Sequence, residues 1–325
     1  MHENIDSMMI VKHALERYLI QSKDIQYLGE SENLNYRIKA IMNEKENDFL
    51  LKIRYSSANQ NLVEIIESEL KWLEALESDL TYNVPGPVRN KEGEHITTIT
   101  IDNSDEKIYV SLYKWVEGDL LNRPPTIEET ISFAKLVAAL HKQSKNWDII
   151  DKSNVRVYDA DNLISSYTQL SQNLNALITE EAKICLEQTI QKISCEINNQ
   201  KITRNTWGMI HSDLHESNYV FYKDEPRPID FSNCGLGFYL FDIAEIFMHL
   251  SHENQKVFIS TYSTIHQLQD NYVNVIEAFF LWSIIRTFSF HSINPEEHEN
   301  TASTLNWVID TYCKKYLEDE NFLLY

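Results

Sequence analysis

Between two long helical stretches the chain carries one short segment that cannot be helix, and this segment constrains the fold more than any other. The second half of the chain is mostly helical in texture, with long amphipathic stretches over 161–200, whereas Met209 to Ser217 is non-helical. Two short β-rich runs follow, Tyr219-Val-Phe-Tyr and Arg227-Pro-Ile-Asp-Phe, joined by the turn Lys223-Asp-Glu. A hairpin set inside helices serves to place side chains, so chemistry is sought at its ends. Those ends hold His211-Ser-Asp213-Leu-His215-Glu-Ser-Asn218 on one side and Asp230 on the other.

The first third of the chain has a different texture. Residues 8–20 read as a helix, with Met9, Val11, Leu15, Tyr18 and Leu19 near helical spacing. Tyr36 to Met42 and Phe49 to Tyr55 read as a hairpin around a loop at 43–48. Residues 61–77 return to a helical stripe of Leu62, Ile65, Ile66, Leu70, Leu73 and Leu76. Val84-Pro-Gly-Pro ends that run, and strands are predicted over 95–101 and 107–115. Further on, Thr126 and Glu129 form a capping box before a helix that runs through Leu140. The fold class is therefore α+β: a small antiparallel sheet with helices, then a mainly helical part.

At 325 residues with 43% hydrophobic composition the chain can bury a large core without staples. Its net charge of −20 argues against a nucleic-acid surface, which needs clustered Lys and Arg, and is compatible with a cationic substrate. The four cysteines have no CxxC or zinc-like spacing, which fits a reducing cytoplasm. No signal-peptide pattern is read at the N-terminus. Val275 to Phe290 is apolar but interrupted by Glu277, Ser283 and Arg286, so it reads as a buried helix and no membrane partner is expected.

Two chemistries suit the eight residues from His211 to Asn218. His211, Asp213 and His215 alternate, and an extended backbone would turn all three to one face as a transition-metal site of a hydrolase. Phosphoryl transfer needs a carboxylate to accept a hydroxyl proton and oxygen ligands for Mg²⁺. Asp213 suits the first role, and Asn218 with Asp230 the second. The eight residues alone favour neither, and a carboxylate at the far end of the hairpin tips the balance to phosphoryl transfer.

His211-x-Asp213-x-x-x-x-Asn218 with Ile229-Asp230-Phe231 and the continuation Gly235-Leu-Gly-Phe-Tyr-Leu-Phe-Asp242-Ile-Ala resembles the signature of the aminoglycoside phosphotransferase and choline kinase family. The resemblance runs from the first strands to at least residue 250. It implies a two-lobed protein-kinase-like fold, with a nucleotide lobe over 1–113, a hinge at 114–118 and a helical lobe over 119–325. It implies a small-molecule kinase that uses ATP or GTP with Mg²⁺, with Asp213 as base and Asn218 and Asp230 as metal ligands. Asp242, His211 and His215 would support the catalytic loop. Lys52, in the strand Phe49-Leu-Leu-Lys-Ile-Arg, matches the lysine that contacts the α- and β-phosphates, and Glu69 matches its helical partner. The turn from Gly29 would cover the nucleotide through Ser31 and Asn33, and Lys114 and Val116 would meet the adenine. Ser232 stands where many relatives carry another acidic residue, and His215-Glu-Ser replaces the commoner His-Pro-Gly.

The acceptor is expected to be a hydroxyl of an aminoglycoside, amino alcohol or amino acid. Candidate contacts are Asp159, Asp161, Glu245, His249, Trp282 and Arg286. The acidic and aromatic groups suit an ammonium, whereas Arg286 suits a carboxylate. Arg156-Val-Tyr-Asp159 reads either as a substrate contact or as a surface loop before a helix. Intact Lys52, Asp213, Asn218 and Asp230 weigh against the alternative of a non-catalytic kinase-like protein.

Overall fold

A computed structural model describes residues 7–30, 33–56, 61–100, 107–148 and 155–324. Among these residues the chain divides into two units. One takes the chain up to Asp119 together with Val155 and Arg227–Ser232; the other takes Leu120–Asp148, Arg156–Pro226 and the chain from Asn233 onward.

The first unit is an antiparallel sheet with two helices. Helix α1 (Ser7–Leu15) precedes strands β1 (Gln21–Glu30), β2 (Leu34–Met42) and β3 (Lys45–Tyr55). Helix α2 (Leu62–Asp79) is followed by β4 (Pro87–Val88), β5 (Thr97–Thr100) and β6 (Lys107–Lys114). The strand order is β1-β2-β3-β6-β4, with β5 also on β6. The long loop expected between β2 and β3 is instead a two-residue turn. Asn43 and Glu44 both have positive φ, 52° and 64°, and such a turn matches the twist of its strands. Strand β1, absent from the sequence reading, is an edge strand with mostly exposed side chains. Alternation gives the sheet two faces. Tyr36, Ile38, Phe49, Leu51, Ile53, Ile108, Val110 and Leu112 join Ile10, Val11, Ala14 and Leu15 of α1 in one core. The other face of β3 carries Lys52 and Arg54, both buried, and Arg54 meets Glu69 of α2.

The second unit is helical around short strands. Helix α3 (Ile127–Asn146) starts at the expected capping box, with both Thr126 and Glu129 hydrogen bonds formed. Helices α4 (Ala160–Leu174) and α5 (Glu180–Asn199) follow. Strand β7 (Trp207–Ile210) leads into the loop at 211–218, and β8 (Tyr219–Tyr222) and β9 (Glu225–Pro228) form the hairpin anticipated from the sequence. Its turn residues Lys223 and Asp224 have φ of 51° and 66°. Strand β10 (Gly235–Phe238) pairs antiparallel with β7. Gly235 is required there, because a Cβ would lie 2.5 Å from the carbonyl oxygen of Arg156. The chain then continues through α6 (Tyr239–Phe247), α7 (His252–Ser263), α8 (Tyr272–His291) and α9 (His298–Val308). Helix α8 is long and apolar enough to cross a membrane, yet it is packed inside this unit with Phe279, Leu281 and Trp282 buried.

Candidate active site

In the second unit, the loop after β7 is held from below by one carboxylate. Asp242, in the first turn of α6, is fully buried. Its Oδ2 accepts from the N–H of His211 at 2.9 Å, and its Oδ1 accepts from the N–H of Ser212 at 2.5 Å. Oδ2 also lies 3.0 Å from Nε2 of His141, whose Nδ1 is 2.8 Å from the Tyr262 hydroxyl. This grip matters because Ser212 has φ of 60°, a conformation that disfavours side chains other than glycine. The Ser212 hydroxyl adds a 2.6 Å bond to the carbonyl of Asn233.

Asp213 follows from that fixed bend. Its Oδ2 accepts from the side-chain amides of Asn218 and Asn233, each at 3.1 Å. The Asn218 amide also donates to the Asp213 carbonyl at 2.9 Å and sits 3.0 Å from Nε2 of His215. His215 thus buttresses the loop from within. Two amide bonds fix one oxygen of Asp213, while Oδ1 lies 3.7 Å from Arg286.

Arg286 donates to the carbonyl of Ser212 at 2.6 Å and to Glu245 at 3.1 Å, and its guanidinium packs over Tyr158 and Phe241. Burial pushes the Glu245 carboxyl up, and the Arg286 charge opposes it. Glu245 and Arg286 are therefore brought beside Asp213. Other expected acceptor contacts are engaged elsewhere. Trp282 is not a pocket wall: it is fully buried and packs edge-on against Phe241 and Phe279, with centroids 4.4 and 5.7 Å away. Asp159 caps α4 through the N–H of Asn162, and His249 pairs with Glu216 at 2.7 Å.

Asn233 was not singled out from the sequence. Its amide fixes Asp213, its Oδ1 accepts from Arg156, and its carbonyl accepts from Tyr158 at 2.5 Å. The signal available was its position three residues after Asp230. The Arg156 stretch flagged in the sequence is thus tied to Asp213 through Asn233.

In the first unit, Lys52 is only 3% exposed, and its ammonium donates to Asp230 Oδ1 at 2.6 Å and to the Ser232 hydroxyl at 2.8 Å. Burial would raise the Asp230 carboxyl, but the Lys52 charge and hydrogen bond hold it well below the ordinary carboxylate range. Asp230 itself has φ of 56°, so this site residue is strained in its own backbone, as Ser212 is beside Asp213.

The expected Lys52–Glu69 pair is not formed, which corrects the sequence reading. Glu69 is paired with Arg54 at 2.7 Å, and its other oxygen accepts from the Tyr113 hydroxyl at 2.8 Å. Arg54 lies two residues beyond Lys52, so both point to the α2 face, and the longer guanidinium takes the carboxylate.

Around the expected nucleotide turn, Asn33 donates to Ser232 at 3.5 Å, while Ser31 lies outside the described residues. At the expected hinge, the N–H of Lys114 donates to Gly86 and that of Trp115 to Asp48. The Lys114 amide is therefore engaged, and no hydrogen bond of the Val116 N–H occurs among the described residues.

The donor set suits Mg²⁺. Asp230 in the first unit and Asn218 in the second each offer a hard oxygen of the kind Mg²⁺ takes, and no group of three His, Cys, Asp or Glu that could hold a metal occurs among the described residues. Mg²⁺ is commonly held by one or two carboxylates together with substrate phosphates. The alternating His211, Asp213 and His215 do not make a transition-metal cluster.

Comparison with known proteins gives the same fold throughout. An amicoumacin kinase, solved with AMP-PNP, Ca²⁺ and amicoumacin, superposes with a TM-score of 0.78 at 18% identity, over 99% of this chain and 98% of that one. A microcompartment-associated aminopropanol kinase gives 0.79 at 20% identity, over 98% and 100%. A choline kinase from Cryptosporidium parvum gives 0.62 at 15% identity, over 97% of each chain. No curated protein sequence matches the chain. The α+β architecture is thus the kinase-like one. Residues 24–272, well over half the chain, match the model of the phosphotransferase enzyme family, and the chain belongs to that family as a phosphotransferase of the small-molecule kinase type.

Proposed function

We propose that the chain transfers the γ-phosphoryl group of Mg·ATP or Mg·GTP to a hydroxyl of a small molecule, in the cytoplasm. The observation that carries this reading is the anchoring of Asp213. Asn218 and Asn233 fix one carboxylate oxygen, and the loop beneath is fixed by Asp242. A carboxylate held this way can accept the acceptor hydroxyl's proton and aim its oxygen, which is most of what the protein must do in phosphoryl transfer. Asn218 and Asp230 would hold Mg²⁺, which when bound neutralises charge on the phosphate oxygens. Lys52 would bind phosphate oxygens directly.

The acceptor class is an amino alcohol, aminoglycoside or amino acid. Of the folds quoted above, one belongs to an amicoumacin kinase and one to an aminopropanol kinase, the latter named for an amino alcohol. Carboxylates at Asp213, Glu245 and Glu216 favour an ammonium nearby, while Arg286 next to Asp213 favours a carboxylate-bearing acceptor.

The test is thermal unfolding of the purified protein with Mg·ATP, with Mg·GTP and with neither, followed by ADP or GDP release in an acceptor screen. Binding to the native state raises the apparent melting temperature. A Mg²⁺-dependent rise with either nucleotide supports the donor assignment. No rise with either at millimolar ligand would favour a non-catalytic kinase-like protein.

A further inference from the structure

The polar network around Lys52 differs from the lysine–glutamate pair that the sequence implied, and the difference assigns work to residues not yet given any. Glu69 is 2% exposed and both its oxygens are engaged, Oε2 by Arg54 and Oε1 by Tyr113. Arg54 in turn donates to the Tyr113 hydroxyl at 3.1 Å. This triangle of guanidinium, phenol and carboxylate is closed and buried. Burial opposes the Arg54 charge, but Glu69 and Tyr113 more than offset it, so Arg54 stays a fixed cation. Nothing in the triangle is left over for Lys52.

Lys52 has two acceptors, Asp230 and Ser232, and its ammonium lies 5.6 Å from the centre of the Tyr113 ring. The two acceptors differ in kind. Asp230 is a carboxylate whose proposed task is to hold a metal ion, and a carboxylate that turns to a metal gives up the lysine. The Ser232 hydroxyl is neutral. It accepts from Lys52 at 2.8 Å and lies within 3.3 Å of Arg54 and 3.5 Å of Asn33. A hydroxyl offers only two acceptor lone pairs, so Lys52 with either of the other two donors fills it. It can keep the ammonium in place without cancelling its charge, whereas a carboxylate there would neutralise both cations.

We propose that Ser232 is the positioning residue for Lys52, the pivot on which its ammonium passes from Asp230 to a nucleotide phosphate, and that Glu69 serves Arg54 and not Lys52. This rests on the reading of Lys52 and Asp230 as nucleotide-side groups. It makes Arg54–Glu69 a permanent strut between β3 and α2, independent of nucleotide.

The test is calorimetric titration with Mg·ATP and Mg·GTP, paired with the melting temperature of each ligand-free variant. The variants are Lys52→Met, Ser232→Ala, Ser232→Thr and Glu69→Gln. A hydrogen bond to a charged group is strong enough that Ser232→Ala should weaken nucleotide binding about tenfold. Ser232→Thr keeps the hydroxyl and should stay within about threefold of the parent. Both should melt near the parent temperature. Glu69→Gln should melt lower yet bind nucleotide within about threefold of the parent, since Lys52 does not depend on it. If Glu69→Gln does not fold, Tyr113→Phe, which frees the other Glu69 oxygen, is read in the same way. Parent-like affinity in Ser232→Ala with loss in Lys52→Met would overturn the pivot and leave the donor site standing. Equal losses in Glu69→Gln and Lys52→Met would show that Glu69 serves Lys52. Parent-like affinity in Lys52→Met would remove the donor-site reading itself.

Discussion

Replacing Asp242 with Asn is the sharpest perturbation of the site that leaves every reacting group chemically unchanged. The carboxylate accepts two backbone N–H bonds, at 2.9 and 2.5 Å, in a fully buried position. Hydrogen bonds to a charged acceptor contribute about 1.5–3 kcal/mol each. An amide at the same place has one acceptor oxygen, so its NH₂ must face the second N–H, donor against donor. One bond is lost, one is weakened, and a buried N–H is left unsatisfied. The expected destabilisation is about 3–5 kcal/mol, the range for breaking a buried charged contact. Ser212 also loses the bond that holds its positive φ, so the bend that aims Asp213 relaxes. A shift of about 1 Å in a catalytic group can cost about 10²-fold in rate. Urea unfolding would measure the stability, and turnover with a saturating acceptor the rate. Nucleotide-induced stabilisation should persist, because Lys52, Asp230 and Ser232 are untouched. A stability loss under about 1 kcal/mol with turnover within threefold would refute the claim that Asp242 holds the loop.

Other substitutions separate the roles of the remaining groups. Asp213→Asn should keep the fold and the nucleotide-induced stabilisation while turnover falls about 10²- to 10⁴-fold, and near-normal turnover would dismiss Asp213 as the base. Asp230→Ala should weaken Mg·nucleotide binding, and an unchanged affinity by titration would take it out of the metal shell. His266 gives a pH effect: burial lowers it from 6.5 to about 4, against a hydrogen bond to the carbonyl of Asn205. Because its folded value lies below the unfolded one, the unfolded chain binds the extra proton between these limits. Its contribution is thus complete above pH 6.5 and lost as the pH falls towards 4, and after solvent screening is about 1–2 kcal/mol. His266→Asn should flatten that part of the stability–pH curve, and parallel curves for the two proteins would count against it.

The elements that read clearly from the sequence are those whose burial is one-sided. Helix α2 shows its stripe because Ile66, Leu70, Leu73 and Leu76 face a core, and α3 announces itself through a capping box that both side chains complete. Strand β1 shows no such pattern, because an edge strand that is exposed on most of its length has no alternation to display. The loop between β2 and β3 reads as too long from the sequence for a related reason. Lys45, Glu46 and Asn47 are polar, yet backbone pairing with Met42, Ile41 and Ala40 carries the strand through them. Polarity marks exposure, and exposure is not the same as the absence of a strand.

Within the site, the residues that could be read are those defined by chain spacing, and those that could not are defined by competition in space. Asp213, Asn218, Asp230 and Asp242 lie at short fixed separations around one hairpin, so their order alone carries information. Asn233 fixes Asp213 through a contact that spans 20 residues and leaves no periodic trace. Lys52 and Glu69 were matched by order in the same manner, a strand lysine followed by a helix glutamate. That match is blind to Arg54, which occupies the same face of β3 and can reach Glu69 with a larger donor array. Deciding between two cations for one buried carboxylate needs side-chain lengths and geometry, and here they favour the arginine. The lysine is left with a hydroxyl, Ser232, and a carboxylate, Asp230, and under the proposal above the residue after Asp230-Phe231 carries a weight that the family pattern does not imply.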